Sequence, residues 1–359
     1  MTMSHPASRD FELPAGWSAR TPGEQDVRPI ADLVARATLA LTGTGHADLH
    51  SAALNVIGAG SWARRQVLFL DANGVLRTWV SVHDRSMGRA DVGVVIDPGC
   101  SDQLGAKIAA TALRWIDQVG ALLAAARFSP DVQLGIDIAA QDRSMARWLQ
   151  AAGYSEVRTW LQMARPVRPE DAVLDAADRR RAGVTVRPVA LHANGLPVAG
   201  DVHAVHQILE ESFADHFNSY RETFQEFVLR NQPDPDAGWD GWWLAMVDID
   251  DRTYLGGAVV ASLSSPSGDR APGTYIDYIG VHRLARGRGV AKALLLTIIA
   301  DAARRGRDRV SLEVDADSPT GADGLYLSMG WENTTRTQSW HRTVMASESD
   351  TFEELEVCR

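Results

Sequence analysis

Between residues 274 and 331 the spacing of apolar positions switches from strand-like to helix-like and back, twice. Thr274 to Val281 is a short apolar run rich in β-branched and aromatic residues, which predicts a strand, and Lys292 to Ala303 predicts an apolar helix. Val310 to Val314 predicts the next strand, Asp315 to Thr320 a polar loop, and the stretch ending in Leu325-Tyr326-Leu327-Ser328-Met329-Gly330-Trp331 a short helix. Upstream, Val184 to Val189 alternates like an edge strand. Val202, Val205, Ile208, Leu209 and Phe213 form one face of a helix opening at Gly200-Asp201, and Tyr220 to Leu229 predicts a second amphipathic helix. Trp242–Val247 and Tyr254–Leu263 predict a hairpin turned at residues 248–251. The order βααββ followed by βαβαβ is mixed α/β.

The first half of the chain repeats part of this pattern. Asp91 to Asp97 predicts a strand, Pro98 to Gly105 a turn, Ile108 to Ala126 a long helix, Val132 to Ile138 a strand, and Met145 to Gly153-Tyr154 a short helix with a Gly-aromatic end. Gly105 and Gly153 precede Gly289 and Gly330 by nearly equal intervals, which predicts one fold used twice. The expected division is a disordered stretch over 1–14, a first domain over 15–168, a linker over 169–182, a second domain over 183–346 and an acidic tail over 347–359. Charged residues 175–181 read as a solvated linker helix.

Composition narrows the class. The 359 residues exceed one ordinary core, so two domains are expected, and 45% hydrophobic with 23% charged residues is globular. A net charge of −10 argues against a general nucleic-acid binder. No run of about 20 apolar residues marks a membrane span, and residues 1–14 lack the apolar core of a signal peptide. Cys100 and Cys358 are far apart and make no metal spacing, which reads as reduced thiols in a cytoplasmic protein.

The chemistry concentrates at Arg286-Gly287-Arg288-Gly289-Val290-Ala291, between a predicted strand and a predicted helix. A glycine-rich turn entering a helix leaves main-chain N–H groups pointing outward at the positive end of the helix dipole, a site for a phosphate or pyrophosphate. Gly287 and Gly289 admit close approach of the anion, and Arg286 and Arg288 add charge. No Gly-Lys-Ser/Thr follows, so this is no Walker loop, and the spacing differs from the dinucleotide-binding fingerprint. A turn that is only a tight helix entry is the plain alternative.

These motifs together resemble the GNAT superfamily of acyl-CoA-dependent N-acyltransferases. Arg286, Gly289 and Ala291 match its pyrophosphate loop, and Leu325, Tyr326, Gly330 and Trp331 its later Leu-Tyr…Gly-aromatic signature, about 40 residues downstream. The resemblance spans roughly residues 183–345 and implies two tandem GNAT-like domains. Each would have a mostly antiparallel central sheet, flanking helices and a V-shaped gap between two splayed strands for acetyl-CoA.

The resemblance also implies roles. Residues 286–291 would hold the pyrophosphate, main-chain groups at Ile279 and Val281 would meet the thioester, and Tyr326 would protonate the leaving thiolate. The base would be a carboxylate. Asp277 lies two residues from Ile279 and shares its face by strand alternation, with a structural ion pair as the alternative role, and Glu313 is a second candidate base. The tandem layout is similar to that of mycothiol synthases, whose glutamate base falls here on Tyr275, a departure that puts their substrate in doubt.

Aligning Gly105 with Gly289 sets Asp102 at Arg286, and aligning Gly153 with Gly330 sets Leu149 at Tyr326, so the first copy is expected to be structural or substrate-shaping and the second catalytic. Asp215 and His216 could line the acceptor mouth, His203 and His206 lack a third metal ligand, and Trp239, Trp242 and Trp243 read as packing. The implied activity is N-acetyl transfer to a small-molecule amine, with no metal, nucleic acid or membrane. An acyl-CoA-binding module without turnover and a peptide N-acetyltransferase stand as alternatives.

Overall fold

The computed structural model describes residues 11–85, 88–174, 183–214, 222–231, 238–264, 271–317 and 322–347. In chain order the elements of the first half are β1 (Ser18–Arg20), α1 (Val27–Thr42), α2 (Leu49–Val56), β2 (Arg64–Leu70), β3 (Leu76–Arg85), β4 (Arg89–Ile96), α3 (Asp102–Ala126), β5 (Asp131–Ala139), α4 (Arg143–Ala151) and β6 (Ser155–Pro166). The second half follows with β7 (Val184–Pro188), α5 (Ala199–Ser212), α6 (Phe224–Asn231), β8 (Trp242–Ile249), β9 (Arg252–Ser264), β10 (Gly273–Val281), α7 (Val290–Arg304), β11 (Arg309–Asp315), α8 (Ala322–Ser328) and β12 (Glu332–Met345).

Two compact units result. The first comprises residues 1–159 with 336–359, the second residues 160–335. These limits differ from the domain ends at 168 and 346 expected above, and strand pairing gives the reason. β12 runs antiparallel to β5 from Thr337 opposite Ala139 to Met345 opposite Asp131. β6 runs antiparallel to β11 from Trp160 opposite Asp315 to Pro166 opposite Arg309. Each half of the chain thus lends a strand to the sheet of the other, and strand order is β1-β2-β3-β4-β5-β12 in the first unit and β6-β11-β10-β9-β8-β7 in the second. The repeat is carried into the topology. Each sheet has one parallel pair, β4 with β5 and β10 with β11, among antiparallel neighbours.

In the first unit, α3 lies on the sheet through Ile108, Ala112, Leu113, Ile116 and Val119, all buried. α3 is long and apolar enough to cross a membrane by length and composition, and half of its most apolar stretch is buried in this core. The stretch expected to be disordered is ordered from residue 11 on. Phe11 meets Phe69 edge-on at 5.2 Å between ring centroids, and the Glu12 carbonyl accepts a hydrogen bond from Thr111 Oγ1 at 3.0 Å. Residues 1–10, the acidic tail from 348, and the expected linker helix at 175–181 lie outside the described residues.

The second unit has a core on each face of its sheet. On one face, Leu294, Leu295, Ile298 and Ile299 of α7 pack on Val259, Ile276, Val310 and Leu312. Each such aliphatic side chain stabilises the fold by about 1.5–3 kcal/mol. On the other face, Val202, Val205, Ile208 and Leu209 of α5 pack on Leu244, Ala258 and Val260, with Phe227 and Trp242. The expected hairpin forms as β8 and β9, with Asp250 and Asp251 at the tip in the left-handed region (φ 48° and 59°).

Candidate active site

β10 and β11 pair only from Thr274 opposite Val310 to Ile276 opposite Leu312. β10 then continues to Val281 against β9, while β11 continues to Asp315 against β6, so a gap opens between them. Main-chain groups alternate sides along a strand. The N–H of His282 bonds the Gly256 carbonyl of β9 at 3.0 Å, so those of Gly280 also face β9, and those of Ile279 and Val281 face the gap.

The register of β10 against β9 shifts between Ile276 and Tyr278, which makes Asp277 the extra residue of a β-bulge. The bulge breaks the alternation that placed Asp277 on the face of Ile279. Ile276 and Ile279 pack in the core beneath α7, whereas Tyr278 packs on the α5 side against Phe213. Both candidate bases lie around one phenol. Burial pushes the Tyr275 hydroxyl above its ordinary range, and the charges of Glu313 and Asp277 and the nearby Tyr278 push it further. Glu313 also accepts a hydrogen bond from Gln162 Nε2 of β6.

Beyond β10, a single helical turn over Arg283–Ala285 leads to Arg286, Gly287, Arg288 and Gly289, all exposed. Gly287 (φ 74°) and Gly289 (φ 78°) adopt left-handed conformations, and a Cβ at Gly287 would stand in open space. Gly289 is the N-cap of α7 and carries no capping side chain, so nothing from this position competes for the amides of the first turn. Arg286 and Arg288 have no ion pair among the described residues. Val290 is buried, and a Cβ on Gly257 of β9 would come within 2.6 Å of its Cγ1, so glycine at 257 lets α7 begin directly on the sheet.

Tyr326, on α8, is buried and packs on Trp331 with ring centroids 5.7 Å apart. Burial pushes its phenol up to about 12. Val290 and Tyr326 belong to one core, with Ile279 and Val281 packed against it, so the expected cofactor residues and the expected acid share one side of the sheet. Ala291, like residues 286–290, sits at the entry to α7.

The first unit keeps the frame without these features. Asp97 follows β4 as His282 follows β10, and its N–H bonds the Arg77 carbonyl of β3 at 2.8 Å. The Asp97 carboxylate accepts Gly99 N–H at 2.9 Å and takes Arg77 at 3.1 Å and Arg36 at 3.3 Å, so a built-in anion occupies the local donors. Ser101 caps α3 by accepting Leu104 N–H at 3.4 Å. The turn expected over Pro98–Gly105 therefore ends at Ser101, and Gly105 lies within α3, where a Cβ would come within 3.0 Å of the Trp148 ring. Gly105 serves helix packing and is not the counterpart of Gly289.

Asp215 and His216 lie outside the described residues. His203 stacks on Phe224 at 3.9 Å, His206 Nε2 is 3.0 Å from the Glu222 carbonyl, and Trp239 packs on Trp242 at 4.9 Å. Cys100 is a half-buried free thiol that burial pushes up, and Cys358 is outside the described residues. Sequence reasoning passed over Gly256-Gly257 and Gly280. Paired glycines inside a predicted strand mark close approach of another element, and that signal was present.

Residues 202–331 match the model of the acetyltransferase (GNAT) family. No curated protein matches the chain. Among solved structures it is similar to a GCN5-related N-acetyltransferase from Sphaerobacter thermophilus, with 24% identity and a TM-score of 0.68 over 94% of this chain and 99% of that one. It is also similar to a tandem GNAT protein from the clavulanic acid biosynthesis pathway, with 16% identity and a TM-score of 0.64 over 93% and 99%. A glucosamine N-acetyltransferase region of a fungal multi-domain GH3 β-N-acetylglucosaminidase aligns with 93% of this chain and 39% of that one, at 11% identity and a TM-score of 0.62. At these identities the likenesses carry the fold.

Proposed function

We propose that this chain, which carries an acetyltransferase domain of the GNAT family at residues 202–331, moves the acetyl group of acetyl-CoA onto a primary amine of a small molecule, with the chemistry in its second unit. The observation that carries the reading is the outward-facing helix entry at residues 286–291 next to the parting of β10 from β11, with Tyr326 in the same core.

In this reading the amides of residues 287–291 hold the diphosphate, helped by Arg286 and Arg288. The thioester lies in the gap against Ile279 and Val281, where a main-chain N–H polarises its carbonyl. The amine attacks the carbonyl carbon, a carboxylate takes the ammonium proton, and the C–S bond breaks to release the thiolate. Tyr326 is the acid toward sulfur. With its phenol near 12, the hydroxyl is protonated and ready to donate at every working pH, and its full transfer to a thiolate of ordinary pKa about 8.5 is uphill, so the proton is shared with sulfur as the C–S bond breaks. Asp277 and Glu313 remain the two candidate bases.

This reading assigns the acceptor to the α5 side and keeps it small, because the end of α5 is packed directly on β10. α5 lies so close to β10 that a Cβ on Gly280 would meet Ser212 Oγ at 2.8 Å and Leu209 Cδ2 at 2.9 Å. One similar structure is a glucosamine N-acetyltransferase region, which puts amino sugars on the panel of acceptors. The test is calorimetry with acetyl-CoA, followed by release of free CoA over amines, polyamines, aminoglycosides and amino sugars. Binding heat with amine-dependent CoA release is expected. No heat, or release that no amine accelerates, overturns the proposal.

A further inference from the structure

Glu211, in the last turn of α5, and His282, the first residue after β10, meet at 2.5 Å between Oε2 and Nε2. The other oxygen of the same carboxylate, Oε1, takes Arg283 Nε at 3.0 Å. On the far side of the imidazole, Nδ1 accepts the N–H of Leu284 at 3.2 Å and so caps the turn that leads into residues 286–289. A ring nitrogen that accepts a hydrogen bond carries no proton, so Nε2 is the protonated atom and donates to Glu211. The carboxylate thus fixes the tautomer, and one side chain has two separate tasks on its two nitrogens.

The elements so joined serve different ligands in the reading above, on which this inference rests. The Leu284 turn feeds the diphosphate cradle. The end of α5 sits on β10 at Gly280 and continues into Phe213, whose ring stands 6.4 Å from that of Tyr278 on the acceptor side. Ser212 Oγ donates to the Ile208 carbonyl at 2.6 Å, so it adds no link to the cradle. Beside the packing of Leu209 and Ser212 on Gly280, the polar joint between the two sides is made by the Glu211 carboxylate.

We infer that His282 and Glu211 are positioning residues: the Nε2–Glu211 bond sets the acceptor wall and the Nδ1–Leu284 bond sets the acetyl-CoA cradle. Two substitutions separate the tasks. In His282→Asn the short side-chain oxygen can still cap Leu284 N–H but cannot reach Glu211. In His282→Gln the longer side chain can reach Glu211 but leaves the cap position.

The experiment measures KM for acetyl-CoA and for the best amine found in the screen, in full-length wild type, His282→Asn, His282→Gln, Glu211→Gln and the His282→Asn/Glu211→Gln double variant. His282→Asn and Glu211→Gln should each raise the amine KM roughly tenfold, the scale of one charge-assisted hydrogen bond, and leave acetyl-CoA KM unchanged. The double variant should be no worse than either single one. His282→Gln should raise acetyl-CoA KM and keep the amine KM. Equal shifts of both constants in all variants, or additive losses in the double variant, overturn the inference. A wild type that turns over normally with variants unaffected overturns this inference alone, whereas a wild type without turnover overturns it together with the proposed function.

Discussion

Leu149 and Tyr326 hold the same place in the two units. The Leu149 carbonyl accepts Tyr154 N–H at 3.0 Å, the Tyr326 carbonyl accepts Trp331 N–H at 3.1 Å, and each turn passes through a left-handed glycine, Gly153 or Gly330. The backbone is kept and the phenol is replaced by an isobutyl group that is fully buried. If the hydroxyl of Tyr326 serves chemistry, Tyr326→Phe should lower kcat by roughly 10²–10⁴-fold and leave the acetyl-CoA Kd nearly unchanged, because the ring that packs on Trp331 is retained. Rapid-mix kinetics beside calorimetry reads both quantities. Unchanged turnover removes Tyr326 from the mechanism.

Gly287→Val tests the cradle. Its Cβ meets nothing within 4 Å, so the fold tolerates the volume, but φ of 74° is strained for a β-branched residue and the new side chain stands where an anion would approach. Acetyl-CoA Kd should rise more than about tenfold, with a stability loss of about 1–2 kcal/mol by urea unfolding.

The base can be found by pH. Asp277→Asn should depress kcat/KM at neutral pH and recover as pH approaches the acceptor amine's own pKa near 10, where the amine deprotonates itself. Glu313→Gln is the parallel measurement. The variant that shows the recovery identifies the carboxylate that takes the proton.

Burial, with Arg64 and Arg85 nearby, pushes His83 of β3 down to about 3. An unfolded histidine titrates near 6.5, so the unfolded chain binds the proton first. The contribution of the neutral ring is complete above pH 6.5 and is lost as pH falls toward 3, at up to about 1.4 kcal/mol per pH unit. In urea titrations at pH 7, 5.5 and 4.5, wild type should lose stability relative to His83→Gln along that slope. Parallel curves would mean the ring is solvated.

Much of the candidate site was legible because its signals are local. A glycine-rich helix entry and a Gly-aromatic helix end are short patterns set by backbone conformation, and residues 286–291 and 325–331 adopt them. The bulge at Asp277 was not legible, since it exists only against β9 and shifts the face of every residue after it. The partners of β6 and β12 were hidden for the same reason. Alternation shows that a strand exists and which side is apolar, but not which distant edge it will join. The alignment of Gly105 with Gly289 failed because a helix glycine packed on Trp148 and a loop glycine look alike in one dimension.

The seat of β12 beside β5 sets an order of assembly during synthesis. The first unit's sheet lacks one of its strands until residues 336–345 have left the ribosome, whereas the second unit's strands are all made by residue 315. At about 5–20 residues per second, β5 waits with an unpaired edge for roughly ten to forty seconds. A released chain truncated after residue 335 should therefore be cleaved by protease in the first unit while the second resists.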